Sequence, residues 1–314
     1  MEKWLLLLII VAVIVVGLVY GYILYTSLYG GYGGTVFGVP YVAVIKLRGT
    51  IGYEQQGLLS WSKTITPDDV KELVDRVLGD PYAKAVVLVI NSPGGSAAAS
   101  EDIYWLIKEL SDEKPVVVYG EEVLASGGYY IALPANEIIV SPHCITGSIG
   151  SVMVVYDVSK LLKVIGVNVT VLKSGKFKDI TSMYKPLSSD ELRILSEIVN
   201  RTAEVFKERV LENRGHVNPE VFDARIYIGE DAVKAGLVDM VGDYNKAIEE
   251  ARKLAGLPPT APVRVIEKPK GLLEALLGVN LNDIIRQLIP VTMGAQPVPQ
   301  IPYTHVQVLY IWMP

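Results

Sequence analysis

The chain has 314 residues, half of them hydrophobic and 20% charged, a composition that excludes a disordered protein and allows one or two domains around a sizeable core. The formal net charge is −5 and no basic patch stands out, which argues against nucleic acid as a partner. A single cysteine, Cys144, excludes an intrachain disulfide and a cysteine-built zinc site, and the scattered His143, His216 and His305 offer no metal cluster, so no metal or cofactor is expected.

The first predicted element is WLLLLIIVAVIVVGLVYGYILY, Trp4 to Tyr25, 22 residues without a charge. As a helix it would span ~33 Å, about the hydrocarbon thickness of a bilayer. It is longer than the ~7–15-residue apolar region of a secretory signal, and no Ala-x-Ala cleavage site follows. Residues 1–26 are therefore expected to be an uncleaved transmembrane helix, with membrane lipid as its partner and Tyr20, Tyr22, Tyr25 and Tyr29 near an interface. Lys3 and the terminal amine are the positive charges near the span, and the far side stays uncharged until Lys46. The positive-inside rule then gives a single-pass cell-membrane protein with a cytoplasmic N-terminus and an extracytoplasmic domain.

Residues 27–40, rich in Gly and Tyr, read as a linker. YVAVIKL (41–47) is the first strand. Thr66-Pro67-Asp68-Asp69 opens a helix: Thr66 caps, Pro67 suits the first turn and the aspartates oppose the dipole. AVVLVI (85–90) is a continuous apolar run, as in a strand buried on both faces. NSPGGS breaks it, and SEDIYWLIKEL is helical. PVVVYG is the next buried strand, followed by VLASGGYYIA, then strands at NEIIVS and VNVTVLKSG. Alternating strands, loops and helices predict βαβ units and a mainly parallel α/β sheet. A long helix follows, SSDELRILSEIVNRTAEVFKERVLENRG, capped by Ser188 or Ser189 and stopped by Gly215, then a shorter one at GEDAVKAGLVD. Past Pro258-Pro259 the character changes. LLEALLGVNLNDIIRQLI is apolar and helical but too interrupted for a second span, and the Pro/Tyr/Val-rich stretch from Pro290 is a strand-forming arm or disordered. Domain boundaries are set at 1–26, 27–40, 41–257 and 258–314.

The residue that decides function is Ser126. Ser-Gly-Gly before a helix can be a simple N-cap and tight turn. Yet Ser126 follows a buried strand, which puts its hydroxyl at the carboxyl end of a parallel sheet, where α/β proteins place ligand sites. The preceding strand ends in SPGG (92–95), so amides of Gly94 or Gly95 would approach that of Gly127, a pairing able to bind an oxyanion. A third Gly/Ser loop, TGSIGS (146–151), follows closely. None of the three histidines is an obvious base. A lysine that desolvation helps to neutralise can serve instead, and LKSGKFKDITSMYKP offers Lys173, Lys176, Lys178 and Lys185, among which spacing does not choose.

Together, INSPGGSAAASEDI, VLASGGYYIALPANEIIVSPHCITGSIGSV, KSGKFKDIT and ARIYIGEDAVKAGLVDMVG resemble the signal peptide peptidase A family, serine peptidases of the Clp protease/crotonase fold, over roughly residues 40–250. The resemblance implies repeated ββα units, with Ser126 as nucleophile, Lys178 as general base and Ser148 orienting the lysine amine. It also implies an oxyanion hole from the backbone of Gly94 or Gly95, with Gly127. Because this chain has one copy of motifs that long relatives hold twice, the resemblance implies a membrane-anchored homo-oligomer, an octameric dome in which serine and lysine come from neighbouring protomers. The implied substrates are hydrophobic peptides, the signal-peptide remnants left in the membrane. Two alternatives stand beside this. One is a stomatin-operon-type membrane Ser-Lys protease with other hydrophobic substrates. The other is a crotonase-type acyl-CoA enzyme, which the anchor and the Ser-Gly-Gly motif oppose.

Overall fold

The computed structural model describes residues 13–22, 38–54, 64–268 and 309–311, with Trp4 and Val11 as isolated positions. The chain forms two compact units, Met1–Val39 with Glu267–Gly294, and Pro40–Ile266 with Ala295–Pro314. In the first, residues 13–22 form helix α1, with Val13 and Val16 exposed. The expected span at 1–26 and linker at 27–40 lie largely outside the described residues, and the apolar stretch 272–289 wholly so. Among the described residues no helix is long and apolar enough to cross a membrane.

The second unit is built on a mostly parallel sheet. Its middle strands are β1 (Tyr41–Arg48), β4 (Ala83–Ser92) and β6 (Val116–Ala125), in the spatial order β6-β4-β1. Strand β7 (Glu137–Val140) and then β10 (Met240–Val241) extend the sheet beyond β6, and β11 (Val263–Val265) extends it beyond β1, all by parallel pairing. The middle strands read as unbroken apolar runs because both faces are covered. On one face, Ala43, Ile45, Val86, Leu88 and Val118 pack with helices α2 (Pro67–Gly79) and α3 (Ala97–Glu113). On the other, Val42, Val44, Val87, Val89 and Val117 meet Ala247, Ile248 and Ala251 of α8 (Tyr244–Leu254). The alternation along each strand thus assigns successive side chains to two separate apolar layers.

A bulge re-aims β6 towards the site. Ile90 pairs with Gly120, but Ser92 pairs with Leu124, so β6 advances four residues while β4 advances two. The Asn91 Oδ1 accepts from the Val123 N–H at 3.2 Å and occupies the interrupted ladder. Below the bulge β6 pairs with β7; above it β6 pairs with β8 (Ile145–Gly147), whose other edge takes antiparallel β9 (Ile226–Ile228). A small second sheet runs in the order β12 (Leu309–Ile311), β5 (Gly94–Ser96), β2 (Thr50–Ile51), β3 (Thr64–Ile65).

The predicted caps are present. Thr66 Oγ1 accepts from the Asp69 N–H, and Ser188 forms a reciprocal capping box with Glu191 at the start of α6 (Ser189–Arg214), which ends at Gly215 with φ 64°. One predicted strand is absent: residues 167–173 are irregular and exposed. The alternation of VNVTV is strand-like, but among the described residues no neighbouring strand pairs with it, and a segment without a ladder is not a strand.

Candidate active site

Ser126 stands between β6 and the short helix α4 (Gly127–Ala132), at the N-cap position, and its side chain makes no capping hydrogen bond. Its backbone has φ 53° and ψ −122°, a region L-residues rarely occupy and which costs of order 1–3 kcal/mol. The residue is held there from both sides: its N–H donates to the Gly147 carbonyl at 2.8 Å, and its carbonyl accepts from the Tyr130 N–H at 2.9 Å. A buried serine in a strained conformation, with its hydroxyl excused from capping, sits at the end of a helix whose first amides have no intrahelical acceptor.

The SPGG turn is locked against this helix. A Cβ on Gly128 would lie 2.5 Å from the Ser92 carbonyl oxygen, so only glycine lets α4 approach the turn this closely. Gly94 has φ 98° and donates its N–H to Ser92 Oγ at 3.1 Å. Gly95 has φ 158°, and a Cβ there would lie 2.0 Å from the Ile51 carbonyl oxygen.

Ser148 is the counterpart of Ser126 on the adjacent strand. Ala125 pairs with Gly147, so the two serines follow paired positions at the ends of β6 and β8. Ser148 also has φ 53°, and its N–H donates to the Arg225 carbonyl at 2.9 Å. Ser151, the other serine of the loop, is committed to the Val199 carbonyl at 2.7 Å. An apolar cavity of about 420 Å³ opens beside this loop, lined by Val152, Met153, Val155, Leu187, Leu192 and Leu195.

Lys178 is exposed, its backbone N–H closes a turn on the Gly175 carbonyl at 3.2 Å, and among the described residues no hydrogen bond links it to Ser126. The structure nevertheless separates it from its three neighbours. Lys173 pairs with Asp179 at 2.6 Å, Lys176 with Asp190 at 2.5 Å and Lys185 with Glu191 at 2.5 Å. These three ammonium groups are thereby engaged by carboxylates within their own chain. The hydrogen bond from Lys185, then those from Ser188, pull Glu191 down to about 2, and the same Glu191 bond raises Lys185. Among the described residues, Lys178 has no such carboxylate.

Other candidates are set aside by their surroundings. Burial pushes the Cys144 thiol up to about 12, which keeps it protonated. His143 and His216 are exposed and make no hydrogen bond to Ser126; His305 lies outside the described residues. Among the described residues no group of three or more His, Cys, Asp and Glu side chains could hold a metal.

Two tyrosines not singled out by sequence fix α4 from behind. The Tyr129 hydroxyl donates to the Leu237 carbonyl at 2.6 Å. The Tyr130 hydroxyl donates to Glu101 of α3, which also accepts from Arg209 of α6 at 2.7 Å and from Trp105 at 2.9 Å. The Arg209 guanidinium lies over the rings of Tyr104 and Trp105, 5.1 and 4.9 Å from their centroids. The available signal was a pair of tyrosines inside a fully buried helix, where each hydroxyl must find an acceptor.

The model of peptidase family S49 matches residues 108–258. The chain is also 36% identical over 302 residues to the candidate protease MJ0651 of Methanocaldococcus jannaschii, covering 92% of this chain and 96% of that one. It belongs to peptidase family S49. Another relative, the chloroplastic serine protease SPPA of Arabidopsis thaliana, is 31% identical over 238 residues, covering 74% of this chain but 35% of the plant protein, so the chain spans about a third of that longer relative. Among solved structures, a membrane-bound stomatin-specific protease is similar over 74% of this chain and 100% of its own, at 16% identity and a TM-score of 0.47. The matched S49 region includes Ser126, Ser148 and Lys178.

Proposed function

We propose that this S49 protein is a membrane-anchored serine endopeptidase of the Clp protease/crotonase type, with Ser126 as nucleophile and Lys178 as general base. The observation that carries the reading is Ser126 itself: a buried serine at φ 53°, at a helix N-terminus, whose side chain does not cap the helix. Neutral Lys178 would take the hydroxyl proton as Ser126 Oγ attacks a peptide carbonyl, then give it to the leaving amine; a water activated by the same lysine would hydrolyse the acyl-enzyme. Ser148 would orient the amine. The developing oxyanion would be met by an amide of the SPGG turn, Gly94 or Gly95, and by that of Gly127, the first residue of α4.

The substrates in this reading are hydrophobic peptides, remnant signal peptides at the membrane to which residues 1–26 tether the domain, outside the cytoplasm. The apolar cavity beside Ser151 and Val152 supports an apolar substrate. Assembly into a homo-oligomer with shared sites is supported by the exposed apolar face of 154–177, where Val164 and Leu172 are 84% and 95% exposed in the single chain. Labelling with a fluorophosphonate probe tests the reading: the adduct should map to Ser126 and vanish in Ser126→Ala, and an adduct on Ser148 or Ser151 would move the nucleophile.

A further inference from the structure

A strained backbone such as that of Ser126, with φ 53° and ψ −122°, persists only where its surroundings over-determine it. α4 supplies one restraint: the Tyr130 N–H closes the first turn by donating to the Ser126 carbonyl at 2.9 Å. Yet α4 has six residues, and a helix this short has little stability of its own. Whatever fixes Tyr130 therefore fixes a donor that holds Ser126.

Tyr130 is fully buried and is gripped at both its ring and its hydroxyl. The ring meets Phe206 of α6 edge-on, 4.9 Å between centroids, and Tyr104 of α3 at 5.6 Å. The hydroxyl donates to Glu101, which is itself pinned by Arg209 and by the Trp105 indole. Burial pushes the Glu101 carboxyl up, but hydrogen bonds from Arg209, Tyr130 and Trp105 outweigh it and hold the group below the ordinary carboxylate value. A charged acceptor makes the stronger bond to the hydroxyl, and the two other donors keep that acceptor in one place. From this chain of contacts we infer that Glu101 and Arg209 are positioning residues: through the Tyr130 hydroxyl they hold α4, and hence Ser126, in the strained conformation from which the serine attacks. The inference rests on the endopeptidase reading for what that conformation is used for, though not for the restraint itself. Because the held conformation is strained, releasing it lowers reactivity without a matching loss of the folded state.

The test uses the detergent-solubilised full chain and its Tyr130→Phe, Glu101→Ala, Glu101→Gln and Arg209→Leu variants. Ser126 is labelled with saturating fluorophosphonate, and the maximal rate constant and the final labelled fraction are read separately, alongside hydrogen exchange of the amide at position 130. Tyr130→Phe, which keeps the ring and removes the hydroxyl, should lower the rate constant about tenfold, as should Glu101→Ala and Arg209→Leu, a loss of the size that small misplacements of a reacting group produce. The labelled fraction should stay at the wild-type level, and the amide at position 130 should exchange faster. Glu101→Gln, which keeps an acceptor for the hydroxyl, should recover the rate constant to within a few-fold of the wild type. A merely structural role predicts the reverse, a smaller labelled fraction reacting at the wild-type rate. That result, or unchanged rate constants in Tyr130→Phe and Glu101→Ala, would overturn the inference while leaving the endopeptidase reading in place. If the wild type is not labelled at Ser126, the exchange decides: faster exchange in Tyr130→Phe and Glu101→Ala upholds the restraint while the serine-nucleophile reading falls, and unchanged exchange overturns the inference as well.

Discussion

Gly128 faces the carbonyl of Ser92 so closely that a Cβ would sit 2.5 Å from the oxygen. This contact joins the two motifs, SPGG and Ser-Gly-Gly, that sequence could only suggest were neighbours. Gly128→Ala must push α4 away from the turn, and overpacking of this kind costs about 1–3 kcal/mol. The expected outcome is a lower Tm together with at least a tenfold fall in Ser126 labelling. Gly79→Ala, at the end of α2 with open space around it, should change neither labelling nor stability for the worse. Wild-type labelling in Gly128→Ala would show that the approach of α4 to the turn does not matter for the serine.

The choice among four lysines is the next expectation. Lys173, Lys176 and Lys185 are held by Asp179, Asp190 and Glu191, whereas Lys178 lacks a carboxylate among the described residues. Lys178→Ala should lower peptide hydrolysis by ~10²–10⁴-fold, the usual loss for a missing general base. The three other alanine variants should keep activity within a few-fold. A dead Lys173 or Lys176 variant beside an active Lys178 variant would reassign the base.

The start of α6 should be unusually resistant to acid. Glu191 closes the capping box with Ser188 and accepts from Lys185, and these bonds depress its folded-state acidity to about 2. A depressed carboxylate contributes stability above its unfolded value, near 4.3, and loses it as pH falls through the folded value. Between about pH 4.3 and 2 the wild type should therefore shed this contribution gradually, and Glu191→Gln should remove that part of the pH dependence. Unfolding midpoints measured across this window check the sign; identical pH profiles for the two proteins would contradict it.

The fold was readable where one physical rule dominates. Continuous apolar runs such as Ala85–Ile90 declare strands covered on both faces, and Thr66, Ser188 and Gly215 declare helix ends through capping chemistry that acts within a few residues. The strand expected at 167–173 failed because alternation describes a surface and not a partner. Within the site, adjacency of Ser126 and Ser148 follows from strand ends in one parallel sheet. The roles of Tyr130, Glu101 and Arg209 were hidden because they lie on three helices far apart in sequence. The bulge that swings β6 from β7 to β8 was hidden for the same reason: register is a property of two strands together.

Where the lysine meets the serine is the last expectation. Within one chain Ser126 is buried at the sheet end, while Lys178 is exposed on a segment whose apolar side chains, Leu172 and Val164 among them, face solvent. Burying such a face against a second copy would remove apolar area from water and carry the lysine segment towards a neighbour's Ser126. Ser126→Ala and Lys178→Ala subunits should then each be inactive alone. Mixed before assembly, they should recover a fraction of wild-type turnover, because some interfaces pair an intact serine with an intact lysine. Fluorophosphonate adducts in the mixture should map only to Ser126 of the Lys178→Ala subunits, which an isotopic label on one subunit type distinguishes. Verified co-assembly with no recovered activity would mean that each site is completed within its own chain, and the exposed position of Lys178 would then have to change on assembly rather than be supplied across it.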